Sequence, residues 1–166
     1  MSTELERLQR GPERNESPGG IGTVRFIARC PGNAGEVLAI AKNALEVAIR
    51  LSHSGVFEES AWVAALPDRF VKNSAPHPSQ DEIDRESVLP LEDRILLQTE
   101  KKWSLRMFMN SFLPELDMRN WSWWDAVVLD KDHIAVAVQV SQWPFPWEAL
   151  RWLLRGSGAE DFAPEL

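Results

Sequence analysis

The sequence predicts an α+β protein in which several helices pack on one face of a small, mainly antiparallel sheet. Three observations lead to this prediction. Residues 24–30 alternate apolar residues with Arg25, Ile27 and Arg29, and residues 134–140 alternate branched residues with small or polar ones, which is the period of a strand. A strand-like segment at 123–129 stands a short turn away from 134–140, as in a hairpin. Several other segments repeat apolar residues at the spacing of an amphipathic helix.

The N-terminal half begins with a polar segment and continues as a strand and helices. Residues 1–20 combine many charges with proline and glycine, so we expect a mobile tail, in which Leu5 and Leu8 have the spacing of a short helical turn. Residues 23–30 predict a half-exposed strand, and Asn33 stands where a helix cap is expected. The helix that follows carries its apolar stripe at Leu38, Ala41, Leu45, Ala48 and Ile49. A short helix is expected at 58–66, which Pro67 either ends or restarts.

The middle of the chain predicts an acidic loop and then two helices. Residues 73–90 contain several prolines and a run of carboxylates, which is typical of a solvated loop. The carboxylates of interest are Asp81, Glu82, Asp84 and Glu86. Residues 90–102 favour a helix that starts at a proline. Ser104 is a good N-cap for a further helix at 105–113, which Pro114 ends.

The C-terminal part predicts the hairpin formed by 123–129 and 134–140, followed by a corner with two prolines and a closing helix at 147–154. We therefore expect one α+β domain at 21–158. Residues 159–166 are expected to form an acidic tail.

Composition limits the partners and the compartment. The formal net charge of -7 disfavours nucleic acid and anionic membranes, which bind basic surfaces, and favours a basic protein partner. The apolar runs are too short for a membrane-spanning helix, and the first residues do not resemble a signal peptide. A single cysteine, Cys30, excludes an internal disulfide and fits a reducing compartment. We expect a cytoplasmic protein.

The sequence contains no recognisable catalytic or metal-binding motif. His53, His77 and His133 stand far apart, so we expect no metal site and no cofactor. Cys30 is expected to pack at a strand end, and the turn at 32–35 lacks the pattern of a phosphate-binding loop. Four aspartates are candidates for a carboxylate pair, although their spacing selects no pair: Asp117, Asp125, Asp130 and Asp132.

The unusual feature of the composition is tryptophan. Six of the eight tryptophans lie between Trp121 and Trp152, and tyrosine is absent. On a strand, Trp121 and Trp123 point to one face and Trp124 to the other. Tryptophans supply core volume and also anchor interfaces, and core is the favoured interpretation for most of them. The candidate partner contacts among them are Trp121, Trp123, Trp143 and Trp147.

Several motifs resemble those of a group of uncharacterised bacterial proteins over roughly the last hundred residues. They are Leu66-Pro67-Asp68-Arg69-Phe70-Val71, Trp103-Ser104-Leu105, Asn120 through Ala126, Trp143-Pro144-Phe145-Pro146-Trp147 and Leu150 through Leu154. Arg69 departs from that pattern, in which an aromatic residue is expected. The resemblance implies a bacterial source. In size, acidity and class the chain is also similar to the immunity proteins that neutralise polymorphic bacterial toxins.

The leading hypothesis is therefore a non-catalytic protein-binding module, such as an immunity protein that masks a basic toxin site. Its contacts would come from the acidic 81–93 region or from the aromatic corner at 143–147. The alternative is a small-molecule-binding protein or enzyme with a pocket between the tryptophan-rich sheet and the closing helix, beside Asp125. A third hypothesis is a structural subunit whose tryptophans are buried by self-association, and the sequence does not define the oligomeric state.

Overall fold

The computed structural model of the protein describes residues 1–116 and 118–165, apart from the side chains of residues 98–100. The described residues contain eight helices and four strands, which confirms the α+β class. In chain order they are α1 (Glu4–Arg10), β1 (Gly22–Arg29), α2 (Ala34–His53), α3 (Glu59–Ala65), α4 (Asp68–Asn73), α5 (Gln80–Ser87), α6 (Leu91–Glu100), α7 (Leu105–Asn110), β2 (Trp121–Asp130), β3 (His133–Val140), α8 (Glu148–Gly156) and β4 (Asp161–Pro164).

The strands form one antiparallel sheet in the order β2-β3-β1-β4. The alternation read from the sequence decides which face is buried. Phe26 of β1 lies opposite Val136 of β3, and both side chains are fully buried. β3 presents bulky residues to the core and small or polar ones to the other face, as predicted.

The helical layer covers the bulky face of the sheet. α2 buries the predicted stripe, and it packs against α8, whose Leu150, Leu153 and Leu154 are fully buried. The predicted helix at 58–66 is α3, and the chain restarts after Pro67 as α4, which buries Phe70. Ser104 caps α7 as predicted by accepting from the Met107 amide.

The N-terminal segment 1–20 is not the predicted mobile tail, because it contains α1, which packs along the outer edge of β2. Leu8 enters the core. The Arg7 Nε donates to the Trp123 carbonyl at 2.9 Å, and the Trp123 amide donates to the Glu4 carboxylate at 2.6 Å. These two side chains occupy backbone groups that an edge strand would otherwise leave unpaired. The spacing of Leu5 and Leu8 indicates a short helical turn, but the contacts that fix it against β2 join residues more than a hundred positions apart.

A carboxylate holds the start of the chain in place. The Ser2 hydroxyl and amide both donate to Glu16, at 2.6 and 3.0 Å. The pKa of Glu16 is lowered to about 2, mainly because the Ser2 hydroxyl donates to it and next because the Glu13 amide does. Since this pKa is depressed in the folded protein, the stabilisation is complete above the ordinary value of 4.5 and is lost as the pH falls towards 2.

We therefore expect Ser2→Ala to raise the pKa of Glu16 towards 4.5 by removing the strongest of these donors. A carboxyl-carbon NMR titration measures this pKa directly. Thr3→Ala is the control, because Thr3 caps α1 without touching Glu16. A Glu16 pKa near 4.5 in the unsubstituted protein would contradict the prediction.

The C-terminal segment 159–166, predicted to be an acidic tail, contains β4, which extends the sheet beside β1. Phe162 stacks on Phe26 with ring centroids 4.8 Å apart and planes nearly parallel. Glu165 pairs with Arg25 at 2.7 Å. A four-residue strand with one aromatic anchor depends on the neighbouring strand, which sequence periodicity cannot reveal.

Candidate protein-binding surface

Two of the tryptophans predicted as partner contacts belong to the core. Trp121 and Trp123 lie opposite Val140 and Val138 on the covered face of the sheet, and they are 4% and 0% exposed. They share one face, as expected. Because their rings are covered by the protein itself, these two residues are removed from any partner-binding surface.

Trp124 contacts Arg7 of α1. The register shifts between Trp123 and Asp125, which places Trp124 in a β-bulge. The Arg7 guanidinium lies 5.2 Å from its ring centroid, and the tryptophan is half-buried. This cation-π contact covers part of the Trp124 ring, whereas the rings of Trp121 and Trp123 lie in the core.

The remaining two predicted tryptophans differ in exposure. Trp143 is 54% exposed at the proline corner, where its ring lies 5.7 Å from that of buried Phe145. Trp147 is half-buried, with ring-centroid distances of 5.2 Å to Phe26 and 5.8 Å to Phe162. Trp143 therefore remains available to a partner, whereas Trp147 mainly supports the core.

The space between the sheet and α8, where the sequence suggested a pocket, is filled with side chains. Phe26 and Val136 of the sheet and Leu150 and Leu153 of α8 are all fully buried in one core cluster. Asp125 is exposed on the outer part of β2 and accepts from the next amide at 2.9 Å. The packing leaves no room for a pocket that combines this aspartate with the closing helix.

The other candidate aspartates stabilise a turn. The Asp130 carboxylate accepts from the Asp132 amide at 2.8 Å and lies 2.9 Å from His133 Nδ1. The Asp132 amide and then His133 lower the pKa of Asp130. Asp132 in turn accepts from the Gly32 amide at 2.7 Å, which ties the hairpin to the start of α2. Asp117 lies outside the described residues.

The acidic segment predicted to be a loop is in part the helix α5. Ser79 caps this helix by accepting from the Glu82 amide at 3.2 Å, a local contact that the proline content of 73–90 obscured. Asp81, Glu82 and Asp84 are exposed, as expected for a solvated charge run. Glu86 is half-buried and pairs with Lys101 at 2.5 Å. Three of the four predicted carboxylates are therefore directly available to a partner.

α5 and α6 lie between two chain segments that are hydrogen-bonded to each other. We call residues 79–100, which contain both helices, the helical arm. The Ala75 amide donates to the Trp103 carbonyl at 2.9 Å, and Ala75 also forms a parallel bridge with Ser104. The His77 Nδ1 lies 3.0 Å from the Ser104 hydroxyl. The chain therefore leaves and rejoins the domain at one place.

The helical arm exposes a large amount of apolar surface. α5 has no buried residue, and every described side chain of α6 is exposed. The exposed large apolar residues of the arm are Ile83, Val88, Leu89, Leu91, Ile95, Leu96 and Leu97, of which Val88 is 82% exposed. Seven large apolar side chains exposed within residues 83–97 are a concentration of apolar exposure that indicates an interaction surface. Sequence reasoning missed these residues because helical periodicity does not reveal whether a stripe is covered.

Comparisons with protein-family models, with curated proteins and with solved structures find no match to this chain. The resemblance to bacterial proteins and to immunity proteins thus remains a prediction. Within the described residues, no helix has both the length and the apolar character needed to cross a membrane. In the same part of the chain, no three His, Cys, Asp or Glu side chains come together as a metal site.

Proposed function

We propose that the protein is a non-catalytic protein-binding module that captures a basic partner through the helical arm, as an immunity protein captures a toxin. The observation that carries the proposal is the apolar surface of the helical arm, whose described side chains are all exposed except that of Glu86. Exposing such a surface to water costs free energy of about 25 cal/mol per Å². A partner that covers it recovers that free energy.

The charge of the helical arm defines the partner's chemistry. The arm contains seven carboxylates and only two arginines. Carboxylates on the same segment as exposed apolar residues favour a partner with a basic surface, because complementary charge accelerates encounter and rejects like-charged proteins. The apolar residues then supply most of the affinity once water is excluded. A toxin whose active site binds nucleic acid or another polyanion would present such a basic surface.

We expect Leu96→Asp to weaken capture of a basic partner about 30-fold or more, in the range of a hot-spot substitution of about 2 kcal/mol. Leu96 is 58% exposed, so the variant should fold normally. The measurement is the affinity for a protein recovered on the immobilised chain from the source bacterium. Ile21→Asp is the matched control, because Ile21 is a similarly exposed aliphatic residue, at 64%, outside the arm.

Two further results separate the parts of the proposal. A recovered partner that stops bacterial growth when expressed alone, but not together with this chain, would support the immunity role. A harmless partner would remove that role while leaving the binding module. Equal losses in the Leu96→Asp and Ile21→Asp variants, or a dimer of this chain that Leu96→Asp dissociates in sedimentation, would contradict the proposal.

A further inference from the structure

The outer edge of β2 is covered by α1 along only part of its length. Glu4 and Arg7 of α1 occupy the backbone amide and carbonyl of Trp123. Gly11 follows directly after α1, and a Cβ on it would lie 3.3 Å from an Asp125 carboxylate oxygen. α1 therefore reaches along this edge as far as Asp125.

The next residues of β2, 126–129, read Ala-Val-Val-Leu, and we call them the open edge. The side chains of Val127, Val128 and Leu129 are 52%, 42% and 46% exposed. Natural sheets protect an edge with charged residues, with proline or with a covering element. The open edge contains neither a proline nor a charge, so it is suited to pairing with another strand.

The direction of the backbone groups identifies Val128 as the residue that can pair. In an antiparallel ladder, the amide and carbonyl of every second residue face the neighbouring strand, and those of the residues between face away. The Ala126 amide donates to the Asp125 carboxylate at 2.9 Å, which places it on the side away from β3. The register with β3 is regular from Ala126 to Val128, so the Val128 amide and carbonyl face the same side. Within the described residues, these two groups make no hydrogen bond on that side.

We propose that the open edges of two copies of this chain pair antiparallel about a twofold axis at Val128, which joins the two sheets into one. Each Val128 amide donates to the Val128 carbonyl of the other copy, so both backbone groups are satisfied. Val127 of each copy lies beside Leu129 of the other, so apolar side chains meet. A twofold contact needs a surface that is complementary to itself, and a strand edge centred on one residue meets that requirement.

The charges at the two ends of the open edge select this register. Asp125 and Lys131 are both exposed, and each lies three residues from Val128. Pairing about Val128 therefore brings Asp125 of each copy beside Lys131 of the other, and opposite charges across a strand pair stabilise it. The lysine side chain is long enough to take up the offset from the bulge before Asp130. A shift by one residue in either direction would instead place Asp125 opposite an aspartate, Asp130 or Asp132, and like charges directly opposite destabilise a strand pair.

The pairing is short, because α1 covers the edge on one side and the hairpin turn ends it on the other. We therefore expect a weak dimer that forms as the concentration rises. The contact does not involve the helical arm, so it stands whether or not the arm binds a partner.

Sedimentation equilibrium of the full chain from about 1 µM to about 1 mM measures the dimer, over the range in which small interfaces dissociate. We expect the average mass to rise from that of a monomer towards that of a dimer. Lys131→Glu and Asp125→Lys should each weaken the dimer at least fivefold, because each replaces two attractions with two repulsions. The double variant Asp125→Lys/Lys131→Glu has opposite charges in the same places again. It should return the affinity to within about twofold of the unsubstituted chain.

Lys72→Glu is the matched control, because it makes the same change of charge at an exposed lysine of α4. It should change the dimer affinity less than twofold. Asp125→Lys makes the chain less acidic, so general charge repulsion would predict a tighter dimer for this variant. Hydrogen exchange adds a second measurement: protection of the Val128 amide should increase with concentration, whereas the Val127 amide, which faces β3, should be protected throughout.

A chain that stays monomeric at the highest concentration would overturn the proposal. Equal weakening by Lys72→Glu and Lys131→Glu, or a double variant as weak as the single ones, would overturn it as well. A dimer that Leu96→Asp dissociates would place the contact on the helical arm instead. A dimer without added protection of the Val128 amide would place the contact on another part of the surface.

Discussion

Replacing Trp123 with alanine should lower the free energy of unfolding by about 3–5 kcal/mol, the range observed when a large aromatic side chain is removed from a core. The indole is fully buried opposite Val138, on a strand that contacts both α1 and α2. The remaining side chains cannot collapse into so large a space without moving the sheet. Urea unfolding followed by circular dichroism measures the change.

Two variants make this prediction specific. Trp143→Ala should cost less than about 1 kcal/mol, because that ring is 54% exposed. Trp123→Phe should cost much less than Trp123→Ala, because phenylalanine refills most of the volume. It also removes a buried Nε1 donor that has no acceptor among the described residues. Similar losses for Trp123→Ala and Trp143→Ala would contradict the distinction between core and surface tryptophans.

Replacing residues 79–100 with a short Gly/Ser linker should leave the domain folded while abolishing capture of the basic partner. The excision removes no described side chain that is buried in the core, and the two flanking segments remain joined by the Ala75 to Trp103 hydrogen bond. The lost ion pair between Glu86 and Lys101 is worth about 1 kcal/mol or less. We therefore expect a cooperative transition whose midpoint moves by no more than about 5 °C.

The control is a similar excision of residues 59–73, which contain α3 and α4. This segment buries Trp62 and Phe70 completely. A chain without it should therefore not fold, and it should show no cooperative unfolding transition. Calorimetry of both excised chains tests the contrast. Loss of the cooperative transition on removing the helical arm would assign the arm a structural role, and retained partner capture would place the binding surface elsewhere.

The elements that sequence predicted well are those with long local patterns. β1, β3, α2 and α8 each present several apolar residues at one period, and each buries the face that the pattern indicates. The hairpin turn and the serine cap of α7 also depend on neighbouring residues only. In these cases the local preference and the tertiary packing agree.

The element that sequence missed, β4, and the packing of α1, which it also missed, depend on a distant partner. β4 exists because β1 offers it an edge and Phe26 offers it a ring. α1 is held by the backbone of Trp123, more than a hundred residues away. Such contacts leave no periodic trace in the short segments that make them.

The sequence by itself determined the α+β class, the net negative charge and the pairing of Trp121 with Trp123 on one face, because composition and the two-residue period of a strand are local properties. Only the tertiary structure decided that this face is buried and that the apolar residues of the arm are exposed. A stripe of apolar side chains is the same in sequence whether another element covers it or water does. Which of the two occurs depends on where the rest of the chain packs.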